Sequence, residues 1–137
     1  MALYNHTAKL FANGEVDIAA LKVMLVGSGY TFSAAETAMT TATAQEVDGN
    51  GWATGGPTIA SAAVTTVTTN DARLDGNNIS VTASGGDIGP ADGMIVYDST
   101  NGYPLKYYQF ASAQTAGDGT PFNITWPTEG IIGWTVT

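Results

Sequence analysis

Residues 117–137 constrain the fold more than any other stretch, because their apolar and polar side chains alternate with a period of two. Such alternation places one set of side chains on each face of a β-strand. The apolar set consists of Phe122, Ile124, Trp126, Ile132, Trp134 and Val136. Residues 127–130 interrupt it with the turn-forming sequence Pro-Thr-Glu-Gly. The pattern therefore predicts a C-terminal hairpin in the core of an all-β domain, and a tryptophan-lined ligand face is the alternative.

Strand and turn signals recur along the rest of the chain, which is rich in threonine and contains 17 glycines. Leu21–Val26 is almost continuously apolar, which predicts a strand buried on both faces. Ser33 and Glu36 fit a capping box and predict a short helix over residues 33–39. The other predicted strands are 44–47, 58–69 (one long strand, or two joined by a bend), Ile79–Thr82, 94–97 and 105–110, the last two joined by a turn at Asn101-Gly102.

These signals predict an all-β fold: an antiparallel β-sandwich, of which a jelly roll is one form, with one short helix. Residues 15–137 are expected to form this single domain. Residues 1–14 lack a firm period and form either a first strand or an N-terminal arm. As an arm, the segment would bind a partner through its apolar residues Leu3, Tyr4, Leu10 and Phe11.

The composition of the chain restricts the classes of partner that it is expected to bind. The segment at the N-terminus has no basic region followed by an apolar run, so it is not expected to be a secretory signal. The longest apolar stretch, residues 18–26, is too short to span a bilayer. Twelve acidic residues against four basic ones give a net charge of -8, so we expect neither a nucleic-acid nor a membrane partner. The chain has no cysteine and therefore no disulfide.

Catalysis needs several titratable groups held together, and the sequence offers few of them. His6 is the single histidine, so neither a Ser-His-Asp nor a Cys-His arrangement has its parts. We therefore predict that the protein is not an enzyme and has no catalytic residue, cofactor or metal. Calcium is the metal least easily dismissed, because its ligands are oxygens and several aspartates are expected in loops. They are Asp48, Asp71, Asp75, Asp87, Asp92, Asp98 and Asp118.

Four aromatic residues are candidates for stacking on a sugar: Trp52, Tyr103, Tyr107 and Tyr108. Tyr107 and Tyr108 are adjacent, so on a strand they point to opposite faces. One is then expected in the core and the other in solvent. This weakens a stacking platform, although carbohydrate binding stays a rival function.

A set of motifs follows the chain in order over nearly its whole length. They are residues 22–25 followed by 30–32, Glu46–Val47 leading to 49–52 and 55–56, Asp71–Asp75, residues 114–120, Phe-x-Ile-x-Trp at 122–126 and Gly-Ile-Ile-x-Trp at 130–134. In this combination the chain resembles small structural proteins of tailed bacteriophages. The motifs are turn and core signatures and contain no catalytic residue. The resemblance implies a virion component that is made in the host cytoplasm.

Among virion components, an acidic, threonine-rich β domain suits multivalent assembly on a larger surface. We therefore expect a head decoration (cement) protein whose partners are itself, as a homotrimer, and the major capsid protein. A tail or baseplate accessory protein is the alternative within the virion. A carbohydrate-binding module for host adsorption is the alternative of another class.

Overall fold

A computed structural model describes residues 2–68 and 71–135. The helical elements are α1 (Thr7–Ala12), α2 (Thr40–Thr43) and a short 3-10 helix (Ile18–Ala20). The strands are β1 (Ala2–Leu3), β2 (Leu21–Val26), β3 (Glu46–Val47), β4 (Ala63–Thr68), β5 (Asp71–Asp75), β6 (Ile79–Thr82), β7 (Ile88–Asp98), β8 (Tyr103–Ala116), β9 (Pro121–Ile124) and β10 (Ile132–Thr135). Within these ranges no helix has the length and apolar character needed to cross a membrane.

The strands pair in antiparallel fashion and form three sheets. The largest has the order β1-β8-β7-β2-β3, a second has the order β10-β5-β4, and β6 pairs with β9 in the third. Together they enclose an apolar core, which confirms the predicted all-β, sandwich-like fold. The division into five, three and two strands differs from the eight strands of a jelly roll.

The interior strand β2 of the five-stranded sheet is covered on both faces. On β2, Leu21, Val23 and Leu25 point into the larger core, whereas Met24 and Val26 point into a second core on the opposite face. The alternation follows from the pleat of the strand. The predicted burial of β2 on both faces is therefore confirmed.

The segment between β2 and β3 covers the outer face of this sheet, but its helix is not where the capping box predicted. Helix α2 begins at Thr40, beyond the predicted range 33–39, and no side chain caps it. The Glu36 backbone N–H donates to the carbonyl of Ser33 at 3.1 Å in a turn. The Glu36 carboxylate instead accepts a hydrogen bond from the Tyr30 hydroxyl at 3.3 Å. This contact ties Glu36 to the second core and away from a capping role.

The predicted C-terminal hairpin is wrong, although its turn exists. The Gly130 N–H donates to the Pro127 carbonyl at 2.9 Å, as in a β-turn. The flanking strands β9 and β10 do not pair with each other; β9 pairs with β6 and β10 with β5. Four of the six alternating apolar residues are buried, Trp134 is half-buried, and Val136 lies outside the described residues. The alternation thus identified the buried faces and not the partner strands.

The predicted strand over residues 58–69 is shorter than expected. The strand β4 begins at Ala63, while Thr58 forms an isolated bridge with Lys22 and Ile59 is buried in the core. Ser61 has a φ of 57°, a left-handed conformation that interrupts an extended chain. Thr69 lies outside the described residues.

Residues 2–14 lie against the domain and include the short strand β1, which pairs with β8, so of the two alternatives the structure favours a first strand over an arm. Tyr4 is 1% exposed in the second core, and Leu10 is buried in the larger one. Phe11 packs edge-on against Trp134, with ring centroids 5.1 Å apart. The Thr7 hydroxyl donates to the carbonyl of Leu105 at 2.7 Å. Tyr4 and Leu10 are thus unavailable to a partner in this fold.

Candidate functional site

The candidate site is the outer edge of β4, the terminal strand of the three-stranded sheet in the described part of the chain. Every residue from 63 to 67 is exposed, including Val64 (44%) and Val67 (47%). The sequence of β4, Ala-Val-Thr-Thr-Val-Thr, is dominated by β-branched residues and therefore favours an extended strand. An edge strand presents N–H and C=O groups that another strand can pair with.

One face of β4 extends the apolar side of β5 and β10 out to the exposed edge of the sheet, and the other face lies beside charged residues. Val64 is opposite Leu74 on β5, and Leu74 is opposite Ile132 on β10, so these three side chains share the apolar face. On the other face Thr65 is opposite Arg73. The Arg73 guanidinium forms an ion pair with Asp75 at 3.7 Å and donates to the Thr128 carbonyl. The cation nearest to β4 is thus held by β5 and by the 127–130 turn.

The chemistry of β4 suits strand pairing. Its six residues carry no charge and include no proline or glycine, which is the composition that makes an exposed edge adhesive. Natural proteins usually protect such edges with lysine, proline or a covering segment. An edge of this kind that is left exposed in a monomer is therefore a candidate interface.

A second concavity lies between the end of β8 and strand β9, with a volume of about 350 Å³. Its floor includes Met94, Phe110 and Phe122, and its rim includes Gln114 and Asn123. Its lining residues are all uncharged. The volume matches that of a small-molecule site, but the lining contains only amide and hydroxyl groups besides its apolar floor.

The aromatic residues considered for sugar stacking lie mostly inside the fold. Trp52 is 1% exposed and packs edge-on against Phe122 at 5.3 Å between ring centroids. Tyr107 and Tyr108 do point to opposite faces, but both are buried, because each face of the sheet carries its own core. The prediction that one of them faces solvent is therefore wrong. Tyr103 is half-buried.

The second core contains a hydrogen-bonded pair of phenols. The Tyr4 and Tyr30 hydroxyls are 2.5 Å apart, and Tyr30 also donates to Glu36. Burial raises the pKa of Tyr30 to about 12 and raises the pKa of Tyr4 further, because the charged phenolate is poorly solvated there. Both phenols stay neutral near pH 7, which suits a structural role.

The aspartates considered for calcium are dispersed, and four of the seven lie within strands instead of in loops, two in β5 and two in β7. Asp87 and Asp118 bind backbone N–H groups of the neighbouring loop: Asp118 N–H donates to Asp87 at 3.0 Å, and Gly85 N–H donates to Asp118 at 3.1 Å. Asp98, which is fully buried, accepts hydrogen bonds from the turn after β7. Throughout residues 2–68 and 71–135, no three His, Cys, Asp or Glu side chains are grouped as metal ligands.

The sequence-based site residues and the candidate site differ. Of the four residues expected to bind a partner, only Leu3 is exposed, at 41%, and partner binding by Leu3 stays a prediction. His6, the single histidine, donates a hydrogen bond from Nε2 to the Pro104 carbonyl, 2.6 Å away. The sequence did contain a signal for β4, the uncharged β-branched run at 63–68, but that run fits an interior strand equally well. No protein-family model, curated protein or solved structure matches this chain.

Proposed function

We propose that the protein is a non-enzymatic structural component of a virion: a decoration (cement) protein on the outer surface of a phage head. Two things support this proposal. The ordered motifs resemble structural proteins of tailed phages, and the fold leaves the edge of β4 exposed for assembly.

The observation that carries the proposal is the exposed edge of β4. A neutral, β-branched strand with five consecutive exposed residues promotes aggregation of a protein that acts as a monomer. In a protein that functions within an assembly, the same edge contributes to binding, because main-chain hydrogen bonds then add to side-chain contacts. Assembly through self-association and through contacts with the major capsid protein fits this surface better than turnover of a small molecule.

The charge of the chain agrees with an external position. With a net charge of -8, the protein is repelled by packaged nucleic acid, so a place on the outer surface of the shell is electrostatically favoured over its lumen. Binding to several shell subunits at once gives avidity without any single tight contact. A decoration protein stabilises a shell in this way.

Counting the copies in purified particles tests the proposal. Quantitative mass spectrometry should find the protein in numbers comparable to those of the major capsid protein. Particles stripped of the protein should break at a lower temperature and recover when it is added back. A copy number far below that of the capsid protein would instead assign it to the tail or baseplate. Absence from particles would overturn the virion assignment.

A further inference from the structure

We propose that β4 pairs with β4 of a second copy of this chain, in antiparallel orientation about a two-fold axis, to form a continuous six-stranded sheet. This inference rests on the proposed function, since it names the surface and the partner for self-association. The partner is a second copy because the edge selects a neutral, β-branched, extended strand, and this chain presents such a strand.

Charge is the first argument for this partner. Two copies with a net charge of -8 each repel one another over most of their surfaces. Along β4 no side chain is ionisable, and the neighbouring Arg73 is paired with Asp75. Two copies can therefore approach at this edge without like charges meeting along the strand itself. A strand of opposite charge would find no complementary group on β4 itself.

Geometry is the second argument. In an antiparallel pair about a two-fold axis, one residue lies opposite its own copy. An axis at Thr65 places Val64 opposite Thr66 of the second copy, within the part of β4 that pairs regularly with β5. An axis at Thr66 places Thr65 opposite Val67, where the register with β5 shifts, so the first register is favoured. Both registers align only alanine, valine and threonine side chains over the described side chains of β4. In the first register the apolar face that runs from Ile132 through Leu74 to Val64 meets the methyl-bearing side chain of Thr66 in the second copy.

A two-fold pair differs from the trimer expected from the sequence. In a ring of three copies, each contact joins two different surfaces, so β4 cannot lie against its own copy. The strand pair is isologous and closes with two copies. It therefore replaces the trimer as the proposed unit of self-association.

The oligomeric state of the purified protein provides the first test. Light scattering and sedimentation over a range of concentrations should show a dimer. Thr65→Lys and Thr66→Lys should each weaken dimerisation by about tenfold or more, because like charges then meet across the strand pair. Thr31→Lys is the matched control, since Thr31 is also exposed and its replacement adds the same charge away from β4. A monomeric wild type, or dimerisation unaffected by both β4 variants, would overturn the pairing.

Single cysteines provide the second test, because the natural chain has none. Residues directly opposite each other in an antiparallel pair have Cα atoms about 4.5–5.5 Å apart, within reach of a disulfide. A residue one position from the axis is about 8 Å from its own copy, beyond that reach. Under oxidation, Thr65→Cys or Thr66→Cys should therefore give a cross-linked dimer, but not both to the same extent. Thr31→Cys should not. Equal cross-linking at all three positions, or none at β4, would contradict the register.

The two proposals can fail separately. If the β4 lysine variants lose dimerisation and also fail to decorate particles, both proposals are supported. If they remain dimeric and still decorate particles, the strand pairing is wrong while the virion function stands. If the wild-type protein dimerises through β4 but is absent from particles, the pairing stands and the virion function is wrong. Circular dichroism of each variant verifies that it is folded.

Discussion

Replacing Tyr4 by alanine asks whether the N-terminal segment is part of the folding unit or an arm laid on another surface. Tyr4 is 1% exposed, and its ring packs edge-on against Phe32 at 5.0 Å between centroids. Its hydroxyl bonds with that of Tyr30, and its backbone N–H donates to the carbonyl of Leu105 at 3.3 Å. An arm would have none of these intradomain contacts. We therefore expect Tyr4→Ala to destabilise the whole domain.

The expected loss in the free energy of unfolding follows from the contacts that Tyr4→Ala removes. Truncating a fully buried aromatic ring to alanine costs about 3–5 kcal/mol, a figure that includes the cavity left behind. The lost hydroxyl contact leaves Tyr30 with Glu36 as its remaining hydrogen-bond partner and accounts for about 1 kcal/mol of that figure. An expected loss of about 4 kcal/mol is a large part of a typical domain stability of about 5–15 kcal/mol.

Urea unfolding followed by tryptophan fluorescence measures this loss. With a slope of about 2 kcal/mol/M, the midpoint should fall by about 2 M. Tyr4→Phe, which keeps the ring, should lose about 1 kcal/mol. Leu3→Ala is the control, because Leu3 is 41% exposed, and it should lose less than about 1 kcal/mol. If Tyr4→Ala were no more destabilising than Leu3→Ala, the segment would be an arm and the burial argument would be refuted.

Three further predictions concern the interior. Because burial raises the pKa of Tyr30 from 10.0 to about 12, the unfolded chain loses this proton first, and the free energy of unfolding should fall between pH 10 and 12; urea midpoints that stay constant over that range would contradict this. Asp98→Ala should lower the free energy of unfolding by about 3 kcal/mol in the same assay, because the buried carboxylate accepts hydrogen bonds from the N–H groups of Asp17, Thr100 and Asn101. A loss below about 1 kcal/mol would show that these donors find other partners. Gly56→Ala should prevent folding, because its φ is +83° and a Cβ would lie 1.6 Å from a backbone oxygen of β2. Gly102→Ala is the control: its φ is +73°, but the space around it is open, so it should be only mildly destabilising. Equal urea midpoints for the two variants would disprove the steric argument.

Local patterns in the sequence predicted the interior strands well. The apolar run at Leu21–Val26 and the alternation at Ile79–Thr82 both form strands with the predicted bounds. The Asn101-Gly102 turn joins β7 and β8 as predicted, with Gly102 at a positive φ. These features depend on neighbours in sequence, and short-range physics is enough to specify them.

Partner choice between distant segments could not be predicted from the same patterns. Residues 121–135 alternate like a hairpin, but β9 pairs with β6, about 40 residues earlier, and β10 pairs with β5, about 60 residues earlier. Alternation specifies which face is buried, and it is silent on which strand lies alongside. The candidate site was missed for the same reason. A neutral, β-branched sequence is typical of strands inside a sheet and of strands at its edge, so the sequence does not distinguish the two positions. The sheet order shows that β4 is terminal.

Because apolar clusters cover β2 of the five-stranded sheet on both sides, few residues of this strand can be substituted to suit a new binding partner. In β2, Val23 packs in one apolar cluster and its neighbour Met24 packs in the other, so a polar substitution at either position would disrupt a core. Substitutions along this strand therefore cannot adapt the protein to a new binding partner without disturbing a core. Substitutions that change binding are expected instead at exposed strand edges and connecting loops, where they leave both cores intact.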